Sequence, residues 1–427
     1  MASDNTNDQT PGPPRHPEER KAMESAGWKG SWLPGDDGFM HVARLSLSVD
    51  DFCGDSLSLR QFKQLDSLTV RLPDLASLDL SENALLTGLN VKESALETID
   101  VSKNPGLKEL SVTSGRLSEI DLSRNPALEE LSLADNRLKA LDVSKNHKLT
   151  ALLAVDNLLA ELDLSENPDL EYLLLDGNEG LGRIDVSKNT ALVDLWARKC
   201  GLANVDVSKN ALLEYLRVDD NNLSELDVSK NPVLTHLSAC LNNLKVLDLS
   251  SNTGLVDLDV GANNLRRLDV SKNVLLKKLR ASKNKLPGLD VSQNPNLTSL
   301  VVCGNKLEIL DLRSNPGLVR LDAAMNKLRG LDVAGLRKLK FLLISGNEIE
   351  RIDVSANTRL KTLMVEENML SSLDVSNNAK LKKLNISRNP LKKLVVPKNN
   401  CLTGLDYGDN QLAGLSVSVK DAGASKT

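Results

Sequence analysis

A solenoid made by stacking one short β-rich unit many times is the fold this sequence predicts, with few or no helices in the repeats and a short helical N-terminal cap. Three observations predict it. A hexapeptide close to LDVSKN returns at a regular step, from Leu78 to Ile99 to Ile120 and on to Leu373. Within each unit the apolar residues stand two apart and an Asn follows them. Aromatics are 2% of 427 residues, too few for the two or three ordinary cores that this length would otherwise imply.

The recurring hexapeptide, motif A, reads LDLSEN at Leu78, IDVSKN at Ile99, IDLSRN at Ile120 and LDVSKN at Leu141. One interval, Leu162 to Ile184, is longer by a single residue, which lies in NEGLGRI around Gly180. Motif B nests about midway between successive A motifs, as LSVTSG at Leu110, LSLADN at Leu131, LRVDDN at Leu216, LVVCGN at Leu300 and LMVEEN at Leu363. Apolar residues two apart point to one face of an extended segment. The Asn falls where the chain must turn, and its amide can satisfy backbone groups that a buried turn leaves orphaned. Stacked turns make these residues a ladder that includes Asn83, Asn104, Asn125 and Asn146. One turn cannot bury its Leu face alone, but neighbours complete the core. Turn signals interrupt every stretch long enough to be a helix.

The segment LEELSLADNRL, Leu128 to Leu138, resembles the leucine-rich-repeat consensus LxxLxLxxNxL. With its nested LDL half and 21-residue period, the chain resembles a bacterial class of that family over about residues 68 to 417. The resemblance implies a curved solenoid with motif B on the concave parallel sheet, motif A on the convex side, and another macromolecule as the usual ligand. Ser94, Gly115 and Cys200 replace the B-motif Asn, and Leu336 replaces an A-motif Asn. Cysteine is a known substitute at that ladder position, so Cys200 reads as structural.

The domain reading is a disordered tail at 1–17, a capping region at 18–67, the solenoid at 68–417 and a tail at 418–427. Residues 18–26, EERKAMESA, suit a short helix, and Trp28, Trp32 and Phe39 suit a cap over the open first turn. The polar, Pro-rich start lacks the charged-then-apolar order of a secretory signal, and no run of 18 apolar residues occurs. Cys53, Cys200, Cys240, Cys303 and Cys401 are odd in number and widely spaced, as expected of unpaired thiols in a reducing compartment. A cytoplasmic product is expected, with export as an effector by a signal-independent route as the alternative.

No Gly-rich phosphate loop, Gly-x-Ser-x-Gly elbow, His-Glu-x-x-His or paired-Cys pattern appears, so no enzyme is expected, and no catalytic residue, metal or cofactor. The A motif repeats an outward Asp from Asp79 through Asp142, Asp248 and Asp311 to Asp374. Like charges in register repel. Hydrogen bonds from backbone or Ser, with neighbouring Lys, are the expected offset, and a column of divalent cations is the sharper alternative.

An unvarying column cannot discriminate partners, so specificity is expected on the B strands, at the outward positions flanking the central Leu. Beyond Phe62 the chain has five aromatics, and Tyr172, Trp196, Tyr215 and Phe341 all fall at such positions. With Leu174, Arg217, His236 and Leu343 they form the candidate partner-binding set, because Trp, Tyr and Arg dominate binding hot spots. Residues 156 to 185 carry net −8 and residues 264 to 285 net +7, a polarity that can orient a partner. An overall charge of −5 argues against nucleic acid. The expectation is a monomeric scaffold that binds a protein; a structural solenoid that self-associates through its ends is the alternative.

Overall fold

In the computed structural model, residues 15–26, 28, 30–34, 37, 39–48, 54–397 and 401–412 are described. The chain forms two compact units, Met1–Ala191 and Leu192–Thr427. Cys53, most of the 1–17 segment and the 418–427 segment lie outside the described residues.

The first unit opens with α1, Pro17–Ala26. Proline at the start has no N–H to leave unpaired, and Glu18 and Glu19 favour the positive end of the helix dipole. Two strands follow, β1 (Gly30–Pro34) antiparallel to β2 (Met40–Leu47). Glu19, only 1% exposed, bonds helix to strand: its carboxylate accepts the Val42 N–H at 2.6 Å and pairs with His41 Nδ1 at 2.8 Å. Burial works to lower the His41 pKa, but its hydrogen bonds to Glu19 and Asp37 outweigh burial and leave it raised. Trp28 packs 6.4 Å from the fully buried ring of Phe62, and the Arg15 guanidinium lies 4.8 Å over Trp32.

From here the repeat takes over. In chain order the strands of the first unit are β3 (Ser56–Ser58), β4 (Ser67–Arg71), β5 (Ser77–Asp79), β6 (Gly88–Lys92), β7 (Glu109–Thr113), β8 (Glu130–Ser132), β9 (Ala151–Leu153) and β10 (Tyr172–Leu174). The B strands pair in parallel from β2 to β4, β6, β7, β8, β9 and β10, and β3 pairs with β5 on the A side. Both ladders therefore begin one turn upstream of residue 68.

The second unit continues with β11 (Asp194–Trp196), β12 (Tyr215–Arg217), β13 (His236–Ser238), β14 (Asp257–Asp259), β15 (Lys278–Arg280), β16 (Ser299–Val301), β17 (Arg320–Asp322), β18 (Phe341–Leu343) and β19 (Thr362–Met364). It ends with β20 (Ser372–Asp374), β21 (Lys383–Asn385), β22 (Lys393–Val395) and β23 (Gly404–Asp406). Every B strand from β11 to β19, then β21 and β23, is parallel to the next in a register that pairs each central Leu with a Leu. The A segments carry named strands only at β3 and β5 and at β20 and β22 among the described residues. Elsewhere they are turns that still bury their Leu and Val, as Leu141 and Val143 do.

Both Asn columns are buried, and they work differently. The A-motif Asn146 amide donates to the Leu122 carbonyl at 3.2 Å and the Asn125 carbonyl at 2.9 Å, 24 and 21 residues back. In the long repeat Asn189 reaches 25 and 22 back instead, to Leu164 and Asn167, so the inserted residue is absorbed without losing either bond. The B-motif Asn both donates and accepts. Asn242 Nδ2 donates to the carbonyls of Val218, Ala239 and Cys240, and its Oδ1 accepts the Leu223 N–H at 3.0 Å. Cys200, wholly buried, stands in this column; its own N–H donates to Asn221 Oδ1.

Ahead of the B Asn the backbone turns left-handed. Asp135, Asp156, Asp220, Leu241 and Met325 have φ between +51° and +56°, while Gly177, Gly304 and Gly346 supply the residue type that adopts this region freely. The strain holds because the N–H of this residue bonds the next turn, as Leu241 does to the Gly261 carbonyl at 2.9 Å.

Three outcomes follow for stability. Leu241→Gly should raise it by about 0.5–1 kcal/mol, relief of left-handed strain outweighing the added freedom of the unfolded chain, whereas Gly304→Ala should lower it by about 1 kcal/mol. Asn242→Ala should cost about 1–3 kcal/mol, because the buried Leu223 N–H loses its acceptor, while the Val218 carbonyl keeps only its bond from Asn221 Nδ2. Denaturant titration of the three variants checks both signs.

Candidate functional site

On every B strand the central Leu is buried and the residues on either side look outward. The second unit places the predicted residues as a compact group. Register sets Asp194, Tyr215, His236, Asp257 and Lys278 in one row, and Trp196, Arg217, Ser238, Asp259 and Arg280 in the row beside it. The Arg217 guanidinium lies 4.1 Å over the Trp196 ring, a cation–π contact, and Tyr215 stacks on His236 at 4.5 Å and 17°. Burial holds the His236 pKa below its ordinary value, so the stacked imidazole is neutral at pH 7.

Sequence reasoning stopped at two outward columns and missed a third, two residues beyond the second, which runs Arg198, Asp219, Cys240. Asp219, 5% exposed, accepts hydrogen bonds from the Ser238 hydroxyl and, at 3.0 Å, from the Cys240 N–H. The Arg198 Nε lies 3.5 Å from its other oxygen. Asp257 is held between Arg280 at 2.7 Å and Lys278 at 3.2 Å. These groups other than Lys278, with Arg217 and Asp259, line a concavity of about 330 Å³ beside Trp196. Burial raises the Asp259 carboxyl and pushes the Cys240 thiol up to about 12, so Cys240 is no nucleophile at neutral pH. Alternation along the strand was the signal that could have found this column.

Phe341 and Leu343 lie five strands beyond His236, about 24 Å at ordinary strand spacing, and do not join the Trp196 group. Phe341 stands between Arg320 and Thr362 in register. Leu343 lines a separate concavity of about 570 Å³ with Met325, Met364, Asp322, Glu366 and Asp406. In the first unit Tyr172 is exposed and in register with Ala151, while Leu174 lies beside Leu153.

The Asp column of motif A is a turn device. Asp142 Oδ1 accepts the Ser144 N–H at 2.9 Å, and Asp227, Asp248, Asp269 and Asp290 repeat this bond two residues on. These bonds, with those from the Ser hydroxyls, hold the carboxyls below their ordinary range; neighbouring Asp in the column push the other way and lose. Beside Arg313 the Asp311 carboxyl falls to about 2.

No protein-family profile matches this chain, and no curated protein does. Solved structures do. The functional domain of InlJ from Listeria monocytogenes, described as including a cysteine ladder, is 34% identical, with 70% of this chain and 69% of that one covered at a TM-score of 0.67. The chain belongs to the leucine-rich-repeat family. YopM from Yersinia enterocolitica is 27% identical, with 90% of this chain and 91% of that one covered at a TM-score of 0.66. The Arabidopsis receptor kinase HAESA, solved in complex with the peptide hormone IDA and the co-receptor SERK1, shares the fold at 20% identity, with 87% and 75% covered and a TM-score of 0.65.

In this leucine-rich-repeat protein Cys240, Cys303 and Cys401 are free thiols, and Cys200 occupies an Asn-ladder position. No helix among the described residues is long and apolar enough to cross a membrane.

The lowered Asp carboxyls make stability acid-labile. A carboxyl whose pKa falls on folding contributes stability above its unfolded pKa and loses it as pH drops through the folded value. The melting temperature should therefore fall between about pH 5 and pH 2. The triple variant Asp227→Asn, Asp248→Asn, Asp269→Asn keeps the turn acceptors but removes three titrations, and should show a shallower fall. An unchanged pH slope would assign acid lability elsewhere.

Proposed function

We propose that this protein is a non-catalytic recognition scaffold whose B-strand face binds a protein partner, centred in the second unit on Trp196, Tyr215, Arg217 and His236. Phe341 and Leu343 extend the recognition surface along that unit, and Tyr172 and Leu174 offer the same chemistry on the first. The observation that carries the reading is the adjacent stacking of Arg217 on Trp196 and of Tyr215 on His236. Rigid rings and a stacked guanidinium present large contact area at low entropy cost, and such groups concentrate binding energy. The salt-linked carboxylates beside them supply orientation more than affinity. Free thiols at Cys240, Cys303 and Cys401 suit a reducing compartment, in support of a cytoplasmic site of action or of delivery into one.

Trp196→Ala with Tyr215→Ala should weaken capture of the partner at least about 30-fold, two hot-spot truncations together costing about 2 kcal/mol or more. Val246→Ala with Ile309→Ala, exposed apolar residues away from the B strands, should leave capture unchanged. Equal loss in both double variants, or in neither, would remove the site from this face. Growth in size with concentration on gel filtration would favour the self-associating reading instead.

A further inference from the structure

The cap brings together residues that no repeat pattern explains. His16 and His41 are two of the chain's 4 histidines, far apart in sequence, and their rings lie 4.8 Å centre to centre. Glu19, on the first turn of α1, stands with them. One ligand atom from each of the three lies within 4.8 Å of the others, and Glu19 and His41 are buried. The His16 Nδ1 atom is buried with no hydrogen-bond partner. An unpartnered imidazole nitrogen beside a buried carboxylate and a second imidazole is costly as a purely structural arrangement.

The geometry points to a divalent transition-metal site of the zinc type, formed by His16, Glu19 and His41. Two imidazoles and one carboxylate are a donor set that borderline ions such as zinc(II) accept and that calcium or magnesium, which need many oxygens, do not. Metal-bound histidines commonly give their other N–H to a carboxylate, which fixes the tautomer. His41 has that arrangement already: Nδ1 faces Glu19, and Nε2 lies 2.9 and 3.0 Å from the two oxygens of Asp37. Bond lengths of about 2.0–2.2 Å place tetrahedral ligands about 3.3 Å apart. The 2.8 Å contact between Glu19 and His41 must therefore open by about 0.5 Å, and His16 must swing in by rotation of its side chain. Such an ion would tie the segment before α1, the helix itself and β2, the strand that starts the B ladder.

The test uses the untagged full-length chain, stripped with chelator. Zinc titration by calorimetry should show one equivalent bound, cobalt(II) should give the visible bands of a tetrahedral site, and zinc should raise the melting temperature reversibly. His16→Ala removes the unpartnered Nδ1 together with the ring contacts to Phe39 and His41, so in chelator it should still fold, with a slightly lower melting temperature that zinc does not raise. It should nonetheless bind zinc at least about tenfold more weakly. Absence of saturable zinc binding by the wild type, or equal zinc affinity in His16→Ala, would overturn the proposal.

Discussion

A backbone that turns inside a hydrophobic core must find hydrogen-bond partners there, and in this protein nearly every such turn finds them in the side chain of an Asn. The rest of the architecture depends on this constraint. A-motif Asn such as Asn125 and Asn231 span to carbonyls 21 and 24 residues back, so the period is a bond length expressed in sequence. A repeat one residue longer survives only because both bonds move together to 22 and 25. Register then follows, since a slip would strip the amides of their acceptors and turn the Leu rows toward water.

The two columns divide the work unequally. The A Asn donates across the turn, while the B Asn also accepts a Leu N–H from the preceding turn and so closes both sides of its bend. That closure forces the preceding residue into left-handed backbone, at a cost of about 1–2 kcal/mol where it is not Gly. Leu241 and Met325 carry that cost with exposed side chains. The position is thus fixed in backbone but open in chemistry, and residues there can serve contact without disturbing the core.

Most of the fold was legible because its causes are periodic. The regular spacing, the Asn columns and the Asp that accepts a backbone N–H two residues on can each be read from a few copies of LDVSKN. The pairing of Trp196 with Arg217 and of Tyr215 with His236 was half legible: a shift of one period places them side by side, but stacking depends on rotamers that spacing does not encode. Asp219 was hidden for another reason. It lies past the strand, where alternation still turns the side chain outward but the Leu pattern has ended, and the hydroxyl of Ser238 draws it under cover. The cap was least legible, since His16, Glu19 and His41 meet through a helix and a hairpin that occur once.

Periodicity also separates what holds the chain up from what it can recognise. A residue required in every turn is required by the turn, and the Asp of motif A is the clearest case: its oxygen is committed to a backbone N–H, and the repulsion between neighbours is smaller than the bonds it opposes. Chemistry that selects a partner must lie where the repeat leaves the residue free. In the described structure those places are the outward positions of the B strands, the left-handed positions beside them and the cap. Rings are scarce in this chain because a Leu, Val and Asn core has no use for them, and that lack of structural need is why Trp196 and Tyr215, outward on adjacent B strands, are the residues proposed for recognition.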